Sequence, residues 1–393
     1  MSALAIGALV AALAAAPAGS GAGKAPDVEW KGQRWSLDEL PKKFPDDARE
    51  VVVSWSSWAE EQEYRFLVDP DGLLVLVCPD GDGEAGRRLQ LARDTAKAFD
   101  KHLPAPDRPE VVADLDKPRD DDDGEVIPED PEGDEPLFGD VTVEREEEWS
   151  YEWGAGTRPL DSGAISVFVC RNEKEYRTLV DALSERRAYL AEWADEAKTI
   201  LGFAIEDPLV GAFLLGADGL EEWDPHNELV HRVGHLLMLR RFGQQPYWVV
   251  KGWAWWSELA IRGSIYVFPY RDGFVGVGEH GGWDHILRNR FRDRDAIPTM
   301  DDVARLVRGT WDDFAAGMAL GTVTSLVRER PDDFIQLLEK LREGWESGSR
   351  VDYADGTWER DRTFVLTPRL QLELFESTLG ADVFVELRKW FLD

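Results

Sequence analysis

Residues 226–239 read HNELVHRVGHLLML, and this segment decides how the rest of the chain is interpreted. It places His231 and His235 four residues apart, so a helix puts both imidazoles on one face, about one turn apart. Two imidazoles at this spacing are the two-histidine half of a zinc site. Without further support, such a pair is more often two ordinary histidines on a helix face.

A second segment, residues 246–258, reads PYWVVKGWAWWSE, and its aromatic and apolar residues predict a buried helix. Together the two segments resemble the HExxH and P-x-W-x-x-E-G-x-A motifs of gluzincin metallopeptidases, the thermolysin-like clan. The resemblance is specific over residues 226–258. It extends more weakly over most of the chain from about residue 45, with the late helical segments at 331–344 and 379–390 in the same order.

The resemblance implies an α+β chain with a zincin-like metallopeptidase fold. Such a fold has N-terminal strands and helices, an active-site-type helix and a mainly helical C-terminal half. The expected organisation is a signal peptide (1–23), an N-terminal strand and helix part of the peptidase-like domain (27–105), an acidic insertion (106–150) and the remainder of that domain (151–393).

Two residues depart from the family pattern. Arg232 stands where the family has the glutamate that takes a proton from the zinc-bound water, and Lys251 stands where it has the third zinc ligand. Two cations thus replace two carboxylates where a dication would bind, and arginine stays protonated in proteins. We therefore expect no zinc, no other cofactor and no catalytic residue: a degenerate site in an inactive homologue, a pseudopeptidase.

Buried cations need partners, since an unpaired buried charge is very costly. Glu258 lies seven residues after Lys251 on the same helix face, and Glu228 lies four residues before Arg232. We expect these carboxylates to pair with the two cations and to replace zinc as the structural centre of the cleft.

A rearranged metal site is the alternative. His231 and His235 could bind a metal with Glu228, Asp224 or His226 as the third ligand, because these are suitable ligand types. The chain would then be a metal-dependent hydrolase.

Three roles follow. The favoured one is a non-catalytic binding or structural protein that holds a peptide or protein in the cleft, where the cations could meet a carboxylate. The second is the hydrolase with the rearranged site. The third is an accessory of an exported complex, whose acidic insertion binds a basic partner.

The formal net charge of -32 argues against a nucleic-acid or anionic-membrane partner. Residues 107–152 contain 20 Asp and Glu against 4 Lys and Arg, which is 20 - 4 = 16 net negative charges and half of the total. This composition, with several prolines and few large apolar residues, predicts disorder in the insertion.

Residues 4–16 are apolar and are followed by Ala16-Pro17-Ala18, the small-residue pattern of a cleavage site. The segment predicts export to a periplasmic or extracellular space. It is shorter than the roughly 20 residues that a membrane-spanning helix needs, so we expect no membrane insertion.

The two cysteines, Cys78 and Cys170, each end an apolar run, and the sequence leaves open whether they form a disulfide or are buried free thiols. Hydrophobic periodicity and turn residues predict the elements. The expected strands are 51–53, 64–68, 73–78 and 164–170, with a hairpin turn at 69–72. The expected helices are 84–102, 172–199, 301–307, 311–330, 332–342 (ending near Gly344) and 370–392.

Overall fold

A computed structural model describes residues 26–106, 160–216, 224–265, 292, 300–305, 313–353, 358–361 and 364–392. The expected signal peptide and, from residue 107 on, the acidic insertion lie outside the described residues. In the described part the chain is a mixed α+β protein, mostly helical, with one large sheet.

The elements of the N-terminal part are β1 (Val28–Trp30), β2 (Gln33–Trp35), α1 (Asp46–Glu61), β3 (Tyr64–Val68), β4 (Leu74–Pro79) and α2 (Ala85–His102). Those of residues 160–216 are β5 (Ile165–Cys170), α3 (Glu173–Arg186), α4 (Ala191–Ala197), β6 (Gly202–Ile205) and β7 (Val210–Leu214). The C-terminal part contains α5 (Pro225–Phe242), α6 (Tyr247–Arg262), α7 (Met300–Ala304), α8 (Asp313–Glu329), α9 (Pro331–Gly348), β8 (Arg350–Asp352), β9 (Trp358–Arg360), α10 (Pro368–Leu379) and α11 (Val383–Leu392).

Seven strands form the large sheet in the order β2-β1-β3-β4-β5-β7-β6. The pairs β1–β3, β4–β5 and β5–β7 are parallel, and the pairs β1–β2, β3–β4 and β6–β7 are antiparallel. The central strands β4 and β5 are apolar apart from Ser166 and buried on both faces, as expected for strands covered by helices on both sides. Helices α1, α3 and α4 cover one face, and α2, α5 and α6 cover the other.

The predicted strand at 51–53 is wrong, because these residues lie in α1. Three β-branched valines favour a strand locally. The buried residues of the segment instead recur at helical spacing, from Val52 through Trp55 to Trp58 and Ala59. Burying two tryptophans on one helix face outweighs the propensity of the valines. The prediction also missed β1, β2, β6 and β7, which are short.

Two predicted long helices are interrupted. The helix expected at 172–199 ends at Arg186, and Arg187 is extended before α4 begins. The helix expected at 370–392 breaks at Gly380, whose φ of 92° a glycine adopts without strain. Conversely, α9 continues past Gly344 to Gly348, and a Cβ at Gly344 would lie 3.3 to 4.0 Å from three leucine side chains.

Cys78 and Cys170 are buried free thiols, so the disulfide alternative is wrong. The two residues lie on the neighbouring strands β4 and β5, but their side chains belong to hydrophobic clusters on opposite faces of the sheet. Burial raises the pKa of the Cys78 thiol to about 12 and also raises that of Cys170. Both therefore behave as apolar core residues.

None of the helices in the described ranges combines the length and the apolar character needed to cross a bilayer.

Candidate functional site

Helix α5 carries the histidine pair and is buried along most of its length. Its N-terminus is capped by the Asp224 side chain, which accepts hydrogen bonds from the backbone N–H groups of His226 at 2.8 Å and Asn227 at 3.3 Å. Pro225 occupies the first turn, where the missing N–H costs nothing. The helix ends at Gly243, whose φ is 59°.

Helix α6 packs against α5 in the antiparallel direction. The Asn227 side chain donates to the carbonyl oxygen of Ser264 at 2.7 Å, and His231, one turn further along α5, contacts Glu258, which lies earlier on α6. Gly234 permits the close crossing, because a Cβ added there would lie 2.9 Å from the Oγ of Ser257. The pair of helices holds the site rigidly.

His231 is held by Glu258. Its Nδ1 lies 2.8 Å from Oε1 of Glu258, and Oε2 of the same carboxylate accepts from Nδ2 of Asn227 at 2.9 Å. When Glu258 is ionised its carboxylate only accepts hydrogen bonds, and Nδ1 of His231 then carries the hydrogen while Nε2 keeps its lone pair. All three side chains are buried, at 0 to 1% exposed. The sequence predicted that Glu258 pairs with Lys251 and did not predict its contacts with His231 and Asn227. The pairing of Glu258 with Lys251 stays a prediction.

Arg232 and Glu228 form the ion pair that their spacing predicts. The Nε and Nη2 atoms of Arg232 lie 3.1 and 2.9 Å from the same Oε2 of Glu228, and both side chains are buried. The guanidinium lies over the edge strand β6. A Cβ at Gly202 would approach its Nη2 to 2.9 Å, so the glycine makes room for it. The guanidinium therefore contacts both the Glu228 carboxylate and the backbone of β6.

Lys251 places a second cation in the interior. The residue is 5% exposed, and its Nζ lies 5.5 Å from the centroid of the Tyr247 ring. Burial lowers the pKa of both His231 and His235 well below the usual 6.5, and the positive charges of Lys251 and Arg232 lower both values further. Both imidazoles are therefore neutral at physiological pH.

The alternative third ligands are not brought to the histidine pair. Asp224 caps α5 and accepts from Nη2 of Arg262 at 3.1 Å. His226 lies beside Asp224 and Glu84, at 3.6 and 4.0 Å. Glu228 is taken by Arg232.

The described residues contain no group of three His, Cys, Asp or Glu side chains that could hold a metal ion. With an ammonium group at position 251, they do not fit the three-ligand zinc site that the resemblance implies.

The two neutral imidazoles make stability depend on pH. As the pH falls below about 6.5, the unfolded chain binds a proton at each imidazole, whereas the folded protein does not. Folding is therefore progressively weakened as the pH falls below about 6.5, by up to about 1.4 kcal/mol per pH unit for each histidine.

Urea unfolding across this range, with a chelator present, measures the slope. His235→Gln is the matched variant and removes one of the two contributions. An unchanged slope in this variant would contradict the assignment of a neutral His235.

No protein-family model matches the chain, and no curated protein matches it either.

Proposed function

We propose that the chain is a catalytically inactive protein with a zincin-like metallopeptidase fold, a pseudopeptidase that holds no zinc and has a binding or structural role. The observation that carries this proposal is the buried ion pair of Arg232 with Glu228. Arg232 occupies the position of the base in the resembling family, and arginine does not release its proton in proteins. Pairing with Glu228 also prevents the side chain from leaving the site.

The second cation supports the same conclusion. Lys251 is buried near the two histidines and lowers the pKa of each. Two unit charges at 4 Å interact by about 4 kcal/mol at an effective dielectric constant of about 20, and this term doubles for a dication. A zinc ion at the histidine pair would be repelled by both Lys251 and Arg232.

We propose a binding role for the site on the basis of its two cations. Strand β6 is an edge strand of the sheet. The Arg232 guanidinium packs beside Gly202, the first residue of β6. We propose that a peptide or protein segment that binds at this site presents a carboxylate to the cations, since guanidinium and carboxylate form strong paired hydrogen bonds. We propose that the protein acts in an exported compartment, because the apolar segment 4–16 has the pattern of a signal peptide.

Metal content tests the proposal. Elemental analysis of the purified mature protein is expected to find far less than one zinc per chain, both in the wild type and in His231→Ala/His235→Ala. Near-stoichiometric zinc in the wild type that disappears in the double variant would reject the pseudopeptidase.

One observation favours the hydrolase with a rearranged site as a second candidate. Nε2 of His231 and both ring nitrogens of His235 are buried without a hydrogen-bond partner among the described residues. Free imidazole nitrogens in pairs are common at metal sites. Zinc lost in the double variant, together with hydrolysis of a peptide or ester substrate that requires it, would establish this candidate.

A further inference from the structure

A glycine-rich turn joins β4 to α2. Residues 81–86 read GDGEAG, which has the G-x-G-x-x-G spacing of turns that bind phosphate groups. The spacing becomes specific when it directly follows a strand and opens a helix that leads to a parallel strand. The structure has this arrangement, because β4 ends at Pro79, α2 begins at Ala85, and the next strand, β5, pairs with β4 in parallel. The turn therefore lies at the carboxyl ends of two parallel strands, where open α/β sheets bind phosphate groups.

The backbone of this turn offers hydrogen-bond donors. The side chain and the carbonyl oxygen of Asp82 accept two of the N–H groups at the start of α2. The N–H groups of Gly83, Gly86 and Arg87 have no partner among the described residues. Gly81 has a φ of 85°, and no atom lies within 4 Å of a Cβ added at any of the three glycines. Free N–H groups at an accessible helix N-terminus favour an anion.

Two arginines are buried beneath the turn, and they are a second feature that favours an anion there. Arg65 is 8% exposed and Arg88 is 5% exposed. Arg65 donates to the carbonyl oxygen of Asp82 at 3.1 Å, and Arg88 contacts the Asp82 carboxylate. The Nε atom of each arginine is buried without a hydrogen-bond partner among the described residues. The other carboxylate in contact with them, Glu29, lies 3.5 Å from Arg65 and is 34% exposed. Positive charge under the turn is therefore only partly compensated, which is costly for buried groups.

A carboxylate of the chain itself lies at the entrance to the turn. Oε2 of Glu84, the residue before α2, is 3.4 Å from Nη1 of Arg87 and 4.0 Å from Nε2 of His226. His226 belongs to the first turn of α5, and its Nε2 is buried without a hydrogen-bond partner among the described residues. Glu84 is 52% exposed and can turn away into solvent. It therefore occupies the place where a bound anion would contact the arginine and the helix N-terminus.

The ribose half of a dinucleotide site is not built. In dinucleotide-binding domains, a carboxylate after the second parallel strand binds a ribose hydroxyl. Here β5 ends at Cys170, and the residue that follows is Arg171, whose Nε donates to Glu175 at 2.8 Å. The described residues thus support recognition of a phosphate group and not of a dinucleotide.

We propose that the turn at residues 81–86 binds the phosphate group of inorganic phosphate or of a small phosphate ester. The N–H groups of Gly83, Gly86 and Arg87 donate to it, the Arg87 side chain supplies an exposed cation, and Glu84 competes for the same place. The site does not involve the histidine pair and does not rest on the proposed function. Because the net charge of -32 repels phosphate at long range, binding depends on these short-range donors.

Glu84→Gln is the variant that opens the site, because it removes the competing charge and keeps the size of the side chain. Glu173→Gln is its matched control. Glu173 also lies at the start of a helix, α3, is 59% exposed and pairs with Arg177 at 3.3 Å, but no glycine-rich turn precedes it. Both substitutions change exposed side chains, and circular dichroism checks that both proteins are folded.

Titration of the full chain with inorganic phosphate at constant ionic strength gives the readout, by calorimetry and by the amide resonances of Gly83, Gly86 and Arg87. We expect Glu84→Gln to bind one phosphate per chain about 10-fold more tightly than the wild type or Glu173→Gln, with shifts of these three resonances. Adding Arg87→Gln should weaken binding by about 3- to 10-fold. Adenosine monophosphate serves as the second ligand. Binding tighter than that of phosphate would identify nucleotides as the source of the phosphate group, and equal binding would identify the phosphate group alone.

The proposal is overturned if Glu84→Gln binds phosphate no more tightly than Glu173→Gln does. It is also overturned if phosphate binds but leaves the three amide resonances in place, since the anion then lies elsewhere on the protein. Neither result bears on the pseudopeptidase, which is tested by metal content.

Discussion

Glu228→Ala is expected to lower the free energy of unfolding by about 3–5 kcal/mol, because it leaves the Arg232 guanidinium buried without its carboxylate. Both side chains are almost fully removed from solvent, at 8% exposed for Arg232 and 3% for Glu228. The guanidinium cannot move far, since it is packed against the backbone at Gly202. Equilibrium unfolding in urea measures the change.

The chain contains a matched control. Arg177 and Glu173 form an ion pair with the same residue types and the same four-residue spacing on α3, at 3.3 Å, but their side chains are 57 and 59% exposed. Solvent screens such a pair, and Glu173→Ala should cost no more than about 0.5 kcal/mol. Equal effects of the two substitutions would show that burial does not decide the strength of the inner pair.

Replacing both Glu228 and Arg232 separates two effects on stability: the cost of leaving the arginine buried without a carboxylate, and the net contribution of the ion pair. Glu228→Leu combined with Arg232→Met should be far less destabilising than Glu228→Ala, since apolar replacements of a buried pair are often neutral or stabilising. If the double variant is as unstable as the single one, packing of the two side chains, and not their charge, holds this part of α5 in place.

Gly252→Ala is expected to destabilise the protein by about 1–3 kcal/mol through overpacking. A Cβ at this position of α6 would lie 2.6 Å from the carbonyl oxygen of Ala319 and 2.7 Å from Cγ2 of Val323, both on α8. The first of these atoms belongs to the backbone and cannot rotate away. The glycine therefore sets the distance between α6 and α8, and with it the position of Lys251 beside the histidines.

Gly86→Ala controls for the intrinsic preference of a helix for alanine. Gly86 lies in α2, is exposed, and has no atom within 4 Å of an added Cβ. Alanine there should be neutral or stabilise by up to about 1 kcal/mol. Thermal and urea unfolding of the two variants should thus give shifts of opposite sign, and a Gly252→Ala protein as stable as the Gly86→Ala protein would mean that α6 and α8 separate at little cost.

Short-range spacing made much of the fold predictable. The apolar strands β3, β4 and β5 and the helices α2, α5 and α6 are visible as runs and periodicities within single segments. The pairing of Glu228 with Arg232 was equally accessible, because residues four apart on a helix are neighbours in any fold. The valines at 51–53 misled for the opposite reason: their local preference for a strand is weaker than the burial of the tryptophans that follow.

The sequence by itself determined that Glu228, His231, Arg232 and His235 lie on one side of α5, within an arc of about 100°. Only the tertiary structure decided that Glu258, 27 residues further on, orients His231, and that both cations are buried beside the sheet and the histidines. It also decided that the cysteines face opposite sides of the sheet. The reason is physical. Helical spacing is set by backbone geometry within one turn, whereas contacts between helices depend on how closely glycines such as Gly234 and Gly252 let their backbones approach.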